Sequence, residues 1–316
     1  MISKNINFTN IAYSVNSTKK LEQKLQKIPE GWKVLKKSLD SGYSSGYNYK
    51  AVAFINENTK EIVLANAGTK ISHLYDLYDD VKVALGYVPS KMSQIKSLIN
   101  EVELEFSSEN EIEYLKNYTW QTTGHSLGGI LSDLSALELY SRGYNVKCSE
   151  TFENPGSKEI SEYAIKNNMF SNPIESNVED LKKGIEFNVY NVRPNFINTV
   201  NTQLGNISLV VPKQELQNSR ISDKDISSSN FLSSLYNKVG SVAKSTADFL
   251  GIGKIAQDIS EHKLSSFNND KIVISDSETI EDFDGGVLVS VQDVEVVQDV
   301  EVIGEQSFED FVEIST

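Results

Sequence analysis

One cysteine, three histidines and six prolines are all that these 316 residues hold of those types, and each scarcity excludes something. A single thiol, Cys148, cannot close an internal disulfide, so no disulfide framework is expected and a reducing compartment fits the chain. Cys148 lies in VKCSETF, where a buried strand residue is expected rather than a reactive thiol. No apolar run approaches the roughly 20 residues of a membrane span. The opening MISKNINFTNIAYSVN has no apolar stretch of the kind a secretory signal needs. The chain is therefore expected in the cytoplasm, or exported without a cleavable signal peptide. Basic residues are not clustered enough to suggest nucleic acid.

Hydrophobic residues make up 39% and charged residues 23%, the balance of a globular protein able to bury one sizeable core. The net charge of −14 is unevenly placed: residues 270–316 hold 14 acidic residues and one lysine, leaving 1–269 near neutral. That tail repeats VQDVEV in tandem at 291–302. Valines suit a strand, but dense like charge disfavours a compact core. The expected division is a body, 1–269, and an acidic appendage, 270–316, that is suited to a basic protein partner.

Along the body, STKKLEQKLQKI has a charged helical pattern, and AVAFI and EIVLANA flank NENTK as a strand pair. Helical stretches are expected near 74–86 and 91–106. Strand patterns at 146–152 and 186–192 alternate with a helix in SKEISEYAIKNN. Such alternation after residue 110 predicts a largely parallel sheet covered by helices on both faces. A broad apolar stripe at 230–250 reads as a helix that packs on the core, or as a mobile lid or interfacial helix.

The chemistry concentrates in YTWQTTGHSLGGILSDLSALELY (118–140). A β-rich run breaks into Gly124-His125-Ser126-Leu127-Gly128-Gly129 and turns at once into an apolar helix whose leucines repeat at helical spacing. Glycines can simply mark a tight connection. G-x-S-x-G between a strand and a helix is also the pattern that thrusts a serine hydroxyl out of a sharp turn. Such a serine needs a histidine to take its proton, a third group to orient that histidine, and backbone donors for the oxyanion. His125, beside the serine, is expected to pack, and His73 could line a pocket. In the order serine, acid, histidine, His262 in DISEHKLSSF is the expected base.

TTGHSLGG, together with FENPGS (152–157), resembles the class 3 lipase family, the α/β-hydrolases of the fungal triacylglycerol lipase type. There the elbow is followed one strand later by an F-G-x-P-x-x-G-like turn. IVLANAGTK (62–70) is similar to the family's strand ending in R-G-T or R-G-S, and HLYDLYDDVKVALG (73–86) to its D-x-x-x-D-L segment. The resemblance covers roughly residues 45–270.

It implies an α/β-hydrolase fold, mostly parallel with helices on both faces, plus the acidic C-terminal appendage. The implied activity is hydrolysis of carboxylic esters of lipids or phospholipids through an acyl-enzyme, without metal or organic cofactor. Transient contact with a membrane surface would accompany such a substrate. Ser126 would be the nucleophile, the Leu127 amide one oxyanion donor and Thr69 the second. Asp79 or Asp80 would brace the oxyanion loop.

Two departures stand out. Ala67 replaces the family's arginine before Gly-Thr. In VYNVRPNFINTVN, Asn195 stands where the family's acid is expected, so the third triad position has no charge unless Asp223 or Asp225 folds in. A binding module on a degenerate hydrolase fold, or an esterase or thioesterase for small substrates, remains the alternative.

Overall fold

The computed structural model describes residues 2–38, 49–68, 88–107, 112–191, 201–212, 271–275, 282–283, 286–287 and 289–290. Among them the helices are α1 (Ile2–Ala12), α2 (Thr18–Leu25), α3 (Val88–Ser107), α4 (Leu127–Ser141), α5 (Lys158–Lys166) and the short α6 (Val178–Leu181). A 3-10 turn (Ile112–Asn117) leads into β4.

The strands are β1 (Lys33–Lys37), β2 (Ala51–Asn56), β3 (Glu61–Asn66), β4 (Thr119–His125), β5 (Asn145–Phe152), β6 (Glu186–Asn191) and β7 (Asn206–Pro212). Four short ones follow: β8 (Lys271–Ser275), β9 (Asp282–Phe283), β10 (Gly286–Val287) and β11 (Val289–Ser290). Nine form one sheet in the order β1-β2-β3-β4-β5-β6-β7-β8-β11, and β9 and β10 pair separately.

The five strands β3 to β7 run parallel, while β2 pairs antiparallel with β3 and β1 antiparallel with β2 to extend the sheet at one side. This is the α/β-hydrolase arrangement, and its central strands are buried on both faces as parallel strands require. The period-two alternation divides them cleanly. Ala51, Ala53, Ile55, Ile62 and Leu64 pack with α3 and α4 on one face. Val52, Phe54, Val63 and Ala65 meet Phe8, Ile11 and Ala12 of α1 on the other.

Two elements differ from the sequence expectation. The leucine spacing of α4 predicts one buried face, yet every residue from Gly128 to Leu139 is buried. Its polar side is covered too, because those side chains are bonded internally: Ser132 Oγ donates to the Gly128 carbonyl at 2.8 Å and Ser135 Oγ to Leu131 at 2.6 Å. The second concerns the start of the acidic segment. β8 pairs antiparallel with β7 from Ser208↔Ser275 to Pro212↔Lys271, so KIVIS, rich in β-branched residues, joins the sheet edge. The tandem VQDVEV repeat and the 230–250 stripe lie outside the described residues.

Cys148 is buried in β5, and burial pushes its thiol well above the ordinary range, with Glu150 and Glu186 adding to the effect. That suits the inert strand residue expected from the sequence.

Candidate active site

β4 carries the elbow at its carboxyl end. The strand lies between β3 and β5, in register from Asn66↔Gly124 on one side to His125↔Phe152 on the other. One residue later the chain reverses into α4, and the reversal falls on Ser126, at φ 58° and ψ −134°. A side-chain-bearing residue in such backbone costs on the order of 1–3 kcal/mol, which surrounding structure has to offset.

Here the offset comes from close packing that only glycine permits. A Cβ on Gly124 would lie 2.0 Å from the Gly128 carbonyl oxygen, and one on Gly128 would lie 2.4 Å from that of Asn66. The turn therefore closes directly onto the end of β3. Past that end, Gly68 comes so near that its Cβ would fall 3.2 Å from the Ser126 Cβ. On the β5 side, the Ser126 amide donates to the Phe152 carbonyl at 2.9 Å.

Ser126 is buried, 3% exposed, and its side chain makes no capping bond to α4. Its hydroxyl is thus not consumed by the helix it precedes. Leu127 opens α4, where first-turn amides have no carbonyl to bond within the helix and the dipole favours negative charge. An oxyanion forming beside Ser126 would meet that end.

His125 packs against Tyr13, as the sequence reading expects. Its Nδ1 lies 2.8 Å from the Tyr13 hydroxyl, and the two rings meet edge to face at 5.8 Å. Burial raises the Tyr13 phenol well above its ordinary value, opposed in part by a hydrogen bond from the Gly68 backbone. The phenol therefore stays protonated and ties the end of α1 to both strands that meet at the elbow.

Behind the elbow sits a hub that the sequence reading missed. Asp133, two turns into α4, is 1% exposed. Its Oδ1 accepts from Ser149 Oγ at 2.6 Å, and its Oδ2 from Asn154 Nδ2 at 2.9 Å and Ser157 Oγ at 2.5 Å. Burial pushes its carboxyl up to about 6, although the three donors pull the other way. The hub bonds α4 to β5 and to the FENPGS turn. The sequence held one hint, since FENPGS had already stood out. Glu150, missed likewise, is buried and accepts from Asn5 Nδ2 of α1 at 2.7 Å.

The FENPGS turn is in turn held by the chain that follows β6. Gln203 Nε2 donates to the Asn154 carbonyl at 2.6 Å, the Asn201 amide to Pro155 at 2.9 Å and the Lys158 amide to Thr202 at 3.1 Å. Of the residues singled out in the sequence, Ser126, Leu127 and His125 come together at the elbow, with Ala67, just past β3, beside them. Thr69, His73, Asp79, Asp80, Asn195, Asp223, Asp225 and His262 lie outside the described residues. Among the described residues no cluster of histidine, cysteine and carboxylate could hold a metal ion. No described helix is long and apolar enough to cross a membrane.

A strained serine between glycines, at the end of a central parallel strand and the start of a buried helix, defines a class of protein, the α/β-hydrolases. Within that class, the model of the family described as lipase (class 3) matches residues 13–167, a span that includes β2 to β5 and the elbow. This part of the chain is similar to the class 3 lipase family. An uncharacterized protein of Rickettsia prowazekii (strain Madrid E) is 38% identical over 240 residues, 76% of this chain, and the chain spans 62% of that protein's length. Solved structures similar to it include the Lip2 lipase of Yarrowia lipolytica, at 16% identity and a TM-score of 0.42 over 65% of this chain and 76% of that one. A lipase of Rhizopus microsporus var. chinensis matches at 18% identity and a TM-score of 0.44 over 65% and 71%.

Proposed function

We propose that this protein is a serine hydrolase that cleaves carboxylic ester bonds of lipids or phospholipids through an acyl-enzyme on Ser126. The observation that carries the reading is the backbone of Ser126, buried and strained at φ 58° with its hydroxyl unused by the helix. Strain at one serine, closed in by glycines, is what a nucleophile presented on a sharp strand-to-helix turn requires.

In this reading Ser126 Oγ attacks the acyl carbon as His262 takes its proton. The oxyanion is held by the Leu127 amide and by Thr69, which directly follows the Gly68 that packs on Ser126. Collapse of the intermediate releases the alcohol, protonated by His262, and water then repeats the sequence to free the acid. Asn195 takes the third position, where its carbonyl can orient an imidazole but supplies no charge. The acidic segment acts outside the chemistry, as a surface for a basic partner.

The test joins labelling and turnover. A fluorophosphonate probe should label the wild type and not Ser126→Ala, and chromogenic esters of short and long acyl chain should both be hydrolysed. His262→Ala should lose orders of magnitude in kcat, and His73→Ala far less. Turnover of short esters alone would point to a small-ester esterase. Absence of both labelling and turnover would leave the binding-module reading, which Asn195 favours.

A further inference from the structure

Three polar residues at the N-terminus fall four apart and meet the sheet one after another. Asn5 Nδ2 donates to Glu150 Oε2 at 2.7 Å, the Thr9 hydroxyl lies 3.1 Å from that of Thr123, and the Tyr13 hydroxyl lies 2.8 Å from His125 Nδ1. Four-residue spacing puts all three on one helix face. The Tyr13 amide still donates to the Thr9 carbonyl at 3.3 Å, so the turn of α1 carries on to Tyr13. Glu150 and Thr123 stand opposite one another within the β4–β5 register. The third contact alone lies at the elbow.

There Tyr13 meets main chain as well as a ring. Its hydroxyl lies 3.4 Å from the His125 carbonyl oxygen, placed to donate to it. That carbonyl belongs to the peptide unit that enters Ser126, whose amide at the other side donates to the Phe152 carbonyl at 2.9 Å. One peptide is thus held at both polar ends, by Tyr13 and by β5. The φ of Ser126, 58°, is the rotation about the bond that leaves this peptide. Gly68 closes the group. A Cβ on it would lie 2.6 Å from the His125 carbonyl oxygen, 2.9 Å from the Tyr13 hydroxyl and 3.2 Å from the Ser126 Cβ. Satisfying the His125 ring alone would not require the same oxygen to stand against that carbonyl and against Gly68.

We propose that Tyr13 is a positioning residue for the reaction at Ser126, its hydroxyl fixing the peptide that enters the nucleophile against the chain leaving β3. The proposal rests on Ser126 as the nucleophile. Strained backbone persists only where surrounding structure over-determines it, and this hydroxyl is one of the restraints. Tyr13 exchanges no proton and forms no bond to the acyl group. It acts on where Ser126 Oγ stands at the moment of attack, and a displacement of about 1 Å there can cost about 10²-fold in rate.

The test compares the full chain as wild type, Tyr13→Phe and Thr9→Val. Each variant removes one hydroxyl from the same helix face and keeps the shape of the side chain, but only Tyr13 reaches the elbow. Steady-state hydrolysis of a p-nitrophenyl ester, the rate of fluorophosphonate labelling and thermal melts are measured on all three. Tyr13→Phe should lose about 10–100-fold in kcat with KM changed by less than about twofold, because the attacking atom is displaced while the binding of the ester is kept. Its labelling rate should fall by a similar factor. Thr9→Val should keep kcat within about twofold of wild type. Its melting temperature should nevertheless fall at least as far as that of Tyr13→Phe, since Thr9 and Thr123 are both fully buried and the Thr123 hydroxyl loses that contact.

A Tyr13→Phe protein with kcat within about twofold of wild type would overturn the proposal while Ser126 still labels. So would equal losses of kcat in both variants, which would make this helix face a matter of stability alone, and so would a Tyr13→Phe chain that does not fold. A wild type that does not label at Ser126 would overturn the hydrolase reading and this proposal together.

Discussion

Two ends of the central sheet each force side-chain-bearing residues into left-handed backbone, and they do so for different reasons. At one end Lys60, at φ 56°, closes the β2–β3 hairpin. It is exposed, and its ammonium lies over the rings of Tyr114 and Tyr118 at 4.8 and 5.0 Å. The turn is built locally: Asn56 Oδ1 accepts from the amides of Asn58 at 3.0 Å and Thr59 at 3.2 Å, an Asx-type arrangement that four residues can make alone. At the other end Ser126 and Glu153, at φ 58° and 50°, are buried. Their backbone is set by β3, β5, β6 and the Asp133 hub, which only the folded chain brings together. Strain made by a local turn is turn chemistry. Strain imposed by the whole tertiary structure on buried polar residues calls for a function.

The largest effect that tests this contrast is a methyl group at the elbow. Gly128→Ala would place a Cβ 2.4 Å from the Asn66 carbonyl oxygen and 2.7 Å from the Ala67 carbonyl carbon, neither of which can swing aside. The expected loss is about 3 kcal/mol or more, read from urea melts. In the hairpin, Thr59→Ala removes only an exposed bond to Glu61 Oε2 and should cost less than about 0.5 kcal/mol. Equal and small losses at both places would mean that the elbow is not held by packing.

The same contrast explains what the sequence made legible. The hairpin, β4, the elbow, β5, α5 and β6 rest on alternation, turn residues and glycine spacing within short windows, and they appear where those signals place them. α1 was missed because its buried face includes Asn5 and Thr9. Asn5 bonds Glu150, and the Thr9 hydroxyl lies 3.1 Å from that of Thr123, so hydrophobic periodicity has gaps there. Asp133 reads as a solvent-facing residue between leucines until Ser149, Asn154 and Ser157 are seen to enclose it. Glu153 reads as an ordinary loop carboxylate. Its backbone angle and burial, the two facts that set it apart, exist only in the folded chain. Of the candidate site, the elbow was legible, and the contacts that hold it in place were not.

A medium effect should come from the hub. The Asp133 carboxyl is pushed up to about 6 by burial, against an ordinary value near 3.9 in an unfolded chain. Between about pH 4 and 6 the folded protein therefore holds a proton that the unfolded chain has released, so this group's contribution to stability falls as pH rises through that window. Below about pH 4 both states are protonated and the contribution is fully present. Asp133→Asn removes the titration, and its serine neighbours can donate or accept. The stability of Asp133→Asn relative to wild type should rise by on the order of 3 kcal/mol between pH 4 and 7, measured by urea melts across that range. A difference that does not change with pH would show that Asp133 is ionised throughout, as its three donors alone would favour.

The smallest effect belongs to the hairpin, and it sharpens the contrast most. Lys60→Gly relieves the left-handed backbone, worth roughly 1 kcal/mol. It also gives up the ammonium over Tyr114 and Tyr118. It loosens the unfolded chain as well, at a cost of similar size. The two costs slightly outweigh the relief, so the melting temperature should fall by no more than about 4 °C. Ester hydrolysis and labelling of Ser126 should stay at wild-type levels, because Lys60 lies at the far end of β3 from the elbow. If Lys60→Gly lowered kcat more than about threefold without unfolding the protein, strain at the hairpin would be coupled to the site, and left-handed backbone would no longer separate turn from function in this chain.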